Sequence, residues 1–139
     1  MPALRHVLIA DPVAAQRARI AKLVEELAQE LAVGLAVHEA DDGAEASDLI
    51  EAHTPALVVC EVLLPHVNGL ELLRRLKADH PDGDHPPVIF VTDMAREADR
   101  YWALRNGAHA YVRKPYEDDL LRRRMRKLLV EAHVKPERL

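Results

Sequence analysis

Short apolar runs alternate with amphipathic stretches along the whole chain. Val7-Leu8-Ile9-Ala10 is apolar, stops at Asp11-Pro12, and reads as a buried strand. Ile20, Leu23, Val24, Leu27 and Leu31 then return every three or four residues. That is the stripe of a helix, with Gln16, Arg17, Arg19, Lys22, Glu25 and Glu26 mostly off it. Gly34 is the expected stop. Residues 35–40 form a weaker strand, and Asp41-Asp42-Gly43 supplies a turn and a helix cap. Ala46, Leu49 and Ile50 mark a second, short helix that Thr54-Pro55 ends.

Ala56-Leu57-Val58-Val59-Cys60 is the most strand-like run and stops at Glu61. Beyond a loop holding Pro65 and Gly69, a third helix carries Leu70, Leu73 and Leu76. Residues 80–87 are loop chemistry, rich in Pro, Asp, Gly and His. Val88-Ile89-Phe90-Val91-Thr92 is a fourth strand, 98–105 a fourth helix ended by Asn106-Gly107, and Ala110-Tyr111-Val112 a fifth strand. The last helix carries Leu120, Leu121, Met125, Leu128 and Leu129, and 133–139 is polar.

The order is strand–helix, five times. Strands apolar on both faces belong in a parallel sheet covered by helices on both sides. The expected fold class is therefore α/β, a doubly wound, flavodoxin-like sheet of five parallel strands in order 2-1-3-4-5 with five helices. One domain over 1–132 is expected, with 133–139 a tail or the start of a linker. In such sheets function sits at the carboxyl ends of the strands, near the reversal of strand order. Those ends carry Asp11, Glu61, Thr92 and Lys114.

Composition narrows the picture by exclusion. The 139 residues hold one cysteine, so no disulfide can form within the chain. The net charge of −4 provides no bulk attraction to nucleic acid or an anionic membrane, so neither is an expected partner of this domain alone. The first apolar run is too short for a signal core or a membrane span, and the expected compartment is the cytoplasm.

Two carboxylates, a hydroxyl and an ammonium at one sheet edge can hold Mg²⁺ and the oxygens of a phosphoryl group. Here the chain resembles a known family. Val7-Leu8-Ile9-Ala10-Asp11 with Arg17 downstream, Leu64-Pro65 with Asn68-Gly69-Leu70, Val88 to Thr92, and Gly107-Ala108 running into Tyr111-Val112-Arg113-Lys114-Pro115 are together similar to the receiver domain of bacterial response regulators. The resemblance covers nearly the whole chain. It implies a role in two-component signalling, with a histidine kinase or a downstream signalling protein as partner. It also implies a binding face of fourth helix, fifth strand and fifth helix that can serve for homodimers.

The resemblance assigns the phosphoacceptor position, four residues before Pro65, to Glu61 rather than an aspartate. Two adjacent acids are implied after the first strand; Asp11 matches the first, and Pro12 stands at the second. Thr92 matches the switch hydroxyl, Tyr111 the switch aromatic, and Lys114 the phosphate-site lysine, before a proline, Pro115, that is often cis in the family. With one acid lost and the other a methylene longer, phosphotransfer is expected to be lost or very slow. Mg²⁺ binding by Asp11 and Glu61 should be weak or nil. The leading expectation is a non-enzymatic, atypical receiver working by phosphorylation-independent protein contact. The alternatives are a conventional receiver with weak phosphotransfer at Glu61, and a small-molecule-binding flavodoxin-like domain. Against the last, Asp11-Pro12-Val13-Ala14 has no glycine to cradle a phosphate. Glu61 reaching Lys114 and Thr92 would mimic the activated arrangement; Glu61 merely filling the site would lock one state.

Other features have plainer readings. Arg122, Arg123, Arg124, Arg126 and Lys127 read as a solvated helix face rather than a nucleic-acid patch. Tyr101 and Trp102 are one core and one part-covered aromatic, or else an exposed anchor. The eight histidines are scattered without ligand spacing, so a zinc site is not expected. His66 reads as an exposed loop residue, Cys60 as inert core.

Overall fold

The computed structural model describes residues 4–94 and 96–134, with backbone alone for 132–134. Ten elements alternate: β1 (Arg5–Ala10), α1 (Ala14–Leu31), β2 (Leu35–Ala40), α2 (Gly43–His53), β3 (Leu57–Cys60), α3 (Gly69–Asp79), β4 (Val88–Thr92), α4 (Glu97–Arg105), β5 (Ala110–Arg113) and α5 (Asp118–Val134). The strands are parallel and lie in the order β2-β1-β3-β4-β5, as expected.

The period of two along each strand splits the core into two layers. Val7, Ile9, Leu57, Val59, Ile89, Val91 and Val112 face one way and meet Ile20, Leu23, Val24 and Leu27 of α1 with Leu121, Met125 and Leu129 of α5. Leu8, Ala10, Val58, Cys60, Val88 and Phe90 face the other way and meet Ala46 of α2, Leu72, Leu73 and Leu76 of α3, and Ala103 of α4. Each large side chain fully buried in these layers contributes roughly 1.5–3 kcal/mol of transfer free energy. This burial holds the sheet rigid and fixes where its strand ends lie.

Local chemistry sets the helix boundaries. The Asp42 carboxylate accepts the Glu45 N–H at 2.8 Å and starts α2. Asn68 does the same for α3 through the Glu71 N–H at 2.9 Å. The stop of α1 differs from expectation. Ala32, at φ 53°, is the left-handed cap, and its N–H reaches the carbonyls of Ala28 and Gln29. Gly34 instead leads into β2, where its carbonyl accepts the Arg5 N–H at 3.0 Å. β1 begins at Arg5, two residues before the apolar run, because backbone pairing with β2 starts there. α5 runs through Val134, past the boundary read at 132, and 135–139 lie outside the described residues. No described helix is long and apolar enough to cross a membrane.

Candidate functional site

β1, β3, β4 and β5 deliver Asp11, Glu61, Thr92 and Lys114 to one end of the sheet. Asp11, Glu61 and Thr92 are all buried. Neighbouring backbone fixes each position. The Asp11 N–H bonds to the Ala40 carbonyl at 3.0 Å, the Glu61 N–H to the Ala10 carbonyl at 2.9 Å, and the Lys114 N–H to the Thr92 carbonyl at 2.8 Å. Arg17 reaches back from α1 and donates to the Asp11 carbonyl at 2.7 Å. Gly69 lets the loop after β3 close against the sheet. A Cβ there would sit 2.7 Å from the Phe90 ring and 2.9 Å from the Glu61 carbonyl oxygen.

The Lys114 ammonium is the centre of the cluster. Its Nζ lies 2.7 Å from Asp11 Oδ2, 3.0 Å from Glu61 Oε1 and 4.0 Å from Asp93 Oδ2, the last on an exposed side chain. The Glu61 carboxylate therefore turns into the site. Its Oε2 accepts the Leu63 N–H at 3.0 Å, and its Oε1 faces the Asp93 N–H at 3.4 Å. Burial alone would raise the Glu61 pKa, but the hydrogen bonds from Thr92, Leu63 and Lys114 outweigh it, and the carboxyl sits below its ordinary value. For Lys114, burial pulls downward and is outweighed by the bonds to Asp11 and Glu61, so its pKa is raised. The group is a charged, hydrogen-bonded triad with one negative charge left over.

The same geometry bears on Mg²⁺. The cation wants a near-octahedral shell of oxygens. Asp11 Oδ1 already accepts the Val13 N–H at 2.8 Å and Oδ2 holds Lys114. Both Glu61 oxygens have donors as well. Pro12 is exposed and adds no side-chain ligand. A cation here would have to compete with the ammonium for both carboxylates, and this donor set does not fit it well.

The remaining expected residues surround the triad. Tyr111 is part-buried beside Phe90, and its hydroxyl donates to the Met94 carbonyl at 2.7 Å. It thereby ties β5 to the loop after Thr92. The Lys114–Pro115 peptide is cis. Cys60 is buried, and burial pushes its thiol pKa up, as expected for inert core. His66 is an exposed loop residue.

The family now follows from the chain itself. Residues 7–126 match the model of the response regulator receiver domain. The chain belongs to the response regulator receiver domain family. Response regulator MprA of Mycobacterium sp. (strain KMS) is 38% identical over 96 residues, covering 69% of this chain and 40% of that protein. The chain thus spans less than half the length of such curated relatives. Among solved structures, the signal receiver domain of a histidine kinase from Syntrophus aciditrophicus is 28% identical at TM-score 0.77, covering 96% of this chain and 95% of that one. A receiver domain protein from Clostridium thermocellum shares the fold at TM-score 0.79 with 21% identity, over 96% of this chain and 100% of that one. The receiver assignment favours two-component signalling over the small-molecule-binding alternative.

For Tyr101 and Trp102 the structure decides between two alternatives, and the reading of the histidines needs correction. Tyr101 and Trp102 are both exposed, at 55% and 56%, so neither is a core aromatic. They stand edge to face on α4, with Arg105 over the Tyr101 ring. The histidines are not all scattered: His6, His38 and His53 come together at the far end of the sheet. Their separation along the chain hid this, and only the strand register could have revealed it. The basic run on α5 does read as a solvated face, since Arg122 pairs with Glu26 and Asp119, Arg123 with Asp119, and Arg126 with Glu30.

Proposed function

We propose that this receiver domain signals without phosphorylation, by protein contact through the face formed by α4, β5 and α5. The observation that carries the reading is the Glu61 carboxylate, turned into the site and held by Lys114 and the Leu63 N–H. Those donors are the ones a phosphoryl group would need. With an internal carboxylate beside these donors, the Thr92 hydroxyl accepts the Met94 N–H at 3.2 Å and the Tyr111 hydroxyl donates to the Met94 carbonyl, which ties both to the loop after β4. This supports the mimicry of an activated state over a site that is merely filled.

Phosphotransfer at Glu61 is the weaker reading. Both Glu61 oxygens are already engaged, and the second acid of the metal seat is Pro12. Mg²⁺ binding is accordingly weak or absent, and the domain is not itself an enzyme. The partner is a histidine kinase or a downstream signalling protein in the cytoplasm. The exposed Tyr101–Trp102 pair offers it an aromatic anchor on α4, and the same face can serve a homodimer. Incubation with acetyl phosphate and Mg²⁺, followed by intact-mass analysis, tests the reading. The expected result is unmodified protein. A stoichiometric phosphoryl adduct at Glu61 overturns it.

A further inference from the structure

We propose that His6, His38 and His53 form a binding site for a divalent first-row transition-metal cation at the corner of β1, β2 and α2. The placement follows from register. His38 of β2 pairs with Leu8 of β1, so His6, Leu8 and His38 project from the same face of the sheet. α2 covers that face and brings His53 to it in its last turn. His6 Nδ1 lies 2.9 Å from His38 Nε2. The His38 and His53 rings stack with centroids 3.8 Å apart, and the His6 and His53 centroids are 5.2 Å apart. One nitrogen from each ring falls within 4.8 Å of the other two.

Imidazole nitrogens bind zinc at about 2.0–2.1 Å, which puts two of them about 3.3 Å apart across a tetrahedral angle. The nitrogens now lie within 4.8 Å of one another, so reaching that spacing takes side-chain rotations that move them by on the order of an ångström. All three side chains are part-buried, so the ligands are held while one coordination position stays open to water or an added ligand. The carbonyl end of α2, negative by its dipole, lies beside His53 and favours a cation. A set of three imidazoles without a carboxylate suits Zn²⁺, Ni²⁺, Co²⁺ or Cu²⁺ and is poor for Mg²⁺. The site is also remote from Glu61. His6 and Asp11 are five residues apart along β1, about 16 Å at the rise of a strand. A bound ion would clamp the edge strand β2, its neighbour β1 and the end of α2 together.

The test is a titration of the untagged chain with Co²⁺ by visible absorption and with Zn²⁺ by calorimetry. We expect one equivalent to bind with the bands of nitrogen-ligated Co²⁺, and Zn²⁺ but not Mg²⁺ to raise the thermal midpoint. His53→Asn and His38→Gln, checked for folding by circular dichroism, should each weaken binding by about a hundredfold or more, since even the loss of an outer-shell partner costs 10–100-fold. His66→Ala should bind like the wild type. In the wild type, Zn²⁺ should shift the imidazole nitrogen resonances of His6, His38 and His53, a reading that needs no variant. Absence of saturable binding, unshifted resonances at those three rings, or wild-type affinity in folded His53→Asn would overturn the proposal.

Discussion

Replacing Lys114 with Met removes the ammonium that two buried carboxylates share. The Lys114, Asp11 and Glu61 side chains are 8%, 2% and 3% exposed, so water cannot replace it readily. Asp11 Oδ2 and Glu61 Oε1 touch the same nitrogen, at 2.7 and 3.0 Å. They are therefore at most about 6 Å apart, and at an effective dielectric of about 20 two negative charges at that distance repel by roughly 3 kcal/mol. Stripping one partner from a buried ion cluster costs about 3–5 kcal/mol by the same physics. The pH dependence has a definite sign. In the wild type the Glu61 carboxyl is held below its ordinary value of 4.5. Its stabilising contribution is therefore complete above that value and is lost as the pH falls through the lower, folded one. In Lys114→Met the like charges push one carboxyl up. The deficit relative to wild type is then largest near pH 7 and shrinks on acidification, as that carboxyl takes up a proton. Urea denaturation followed by circular dichroism at several pH values between 7 and 5 measures both effects. A deficit below about 1 kcal/mol at pH 7 would refute the buried-cluster reasoning, because that is the range of a solvated surface pair. So would a deficit that does not change with pH.

Two further substitutions probe the site. Pro12→Asp combined with Glu61→Asp restores both acids, and acetyl phosphate with Mg²⁺ should then give a phosphorylated product by intact mass; Glu61→Asp alone should react more slowly. Gly69→Ala places a methyl against the Phe90 ring and the Glu61 carbonyl and should destabilise the fold by about 1–3 kcal/mol in chemical denaturation.

Much of this protein is legible in its sequence because its signals are local. β3 is an unbroken apolar run and β4 is one up to Thr92, and their residues are buried on both faces in the structure. The strand–helix alternation then led to the sheet order, and the rule for strand ends led to Asp11, Glu61, Thr92 and Lys114. What stayed hidden depends on register and on what covers a helix. The histidine corner draws one residue from each of three elements, and nothing along the chain links residues 6, 38 and 53. The exposure of Tyr101 and Trp102 follows from how α4 packs, with Ala103 as its buried contact, and helical spacing alone does not choose between neighbours. The end of α1 at Ala32 rather than Gly34 is a conformational choice that glycine preference pointed away from.

Under the proposed function, the Glu61 carboxylate, by holding Lys114 beside Thr92, sets the arrangement of the signalling face. Backbone amide NMR of the wild type and Glu61→Gln tests it most directly. Glu61→Gln keeps the side-chain length and removes the charge. Its amides at Leu63, Thr92, Met94 and Tyr111 should shift, and the shifts should extend into α4, while α1 and β2 stay unchanged. Spectra of the two proteins that superimpose at Thr92, Met94 and Tyr111 would contradict the account.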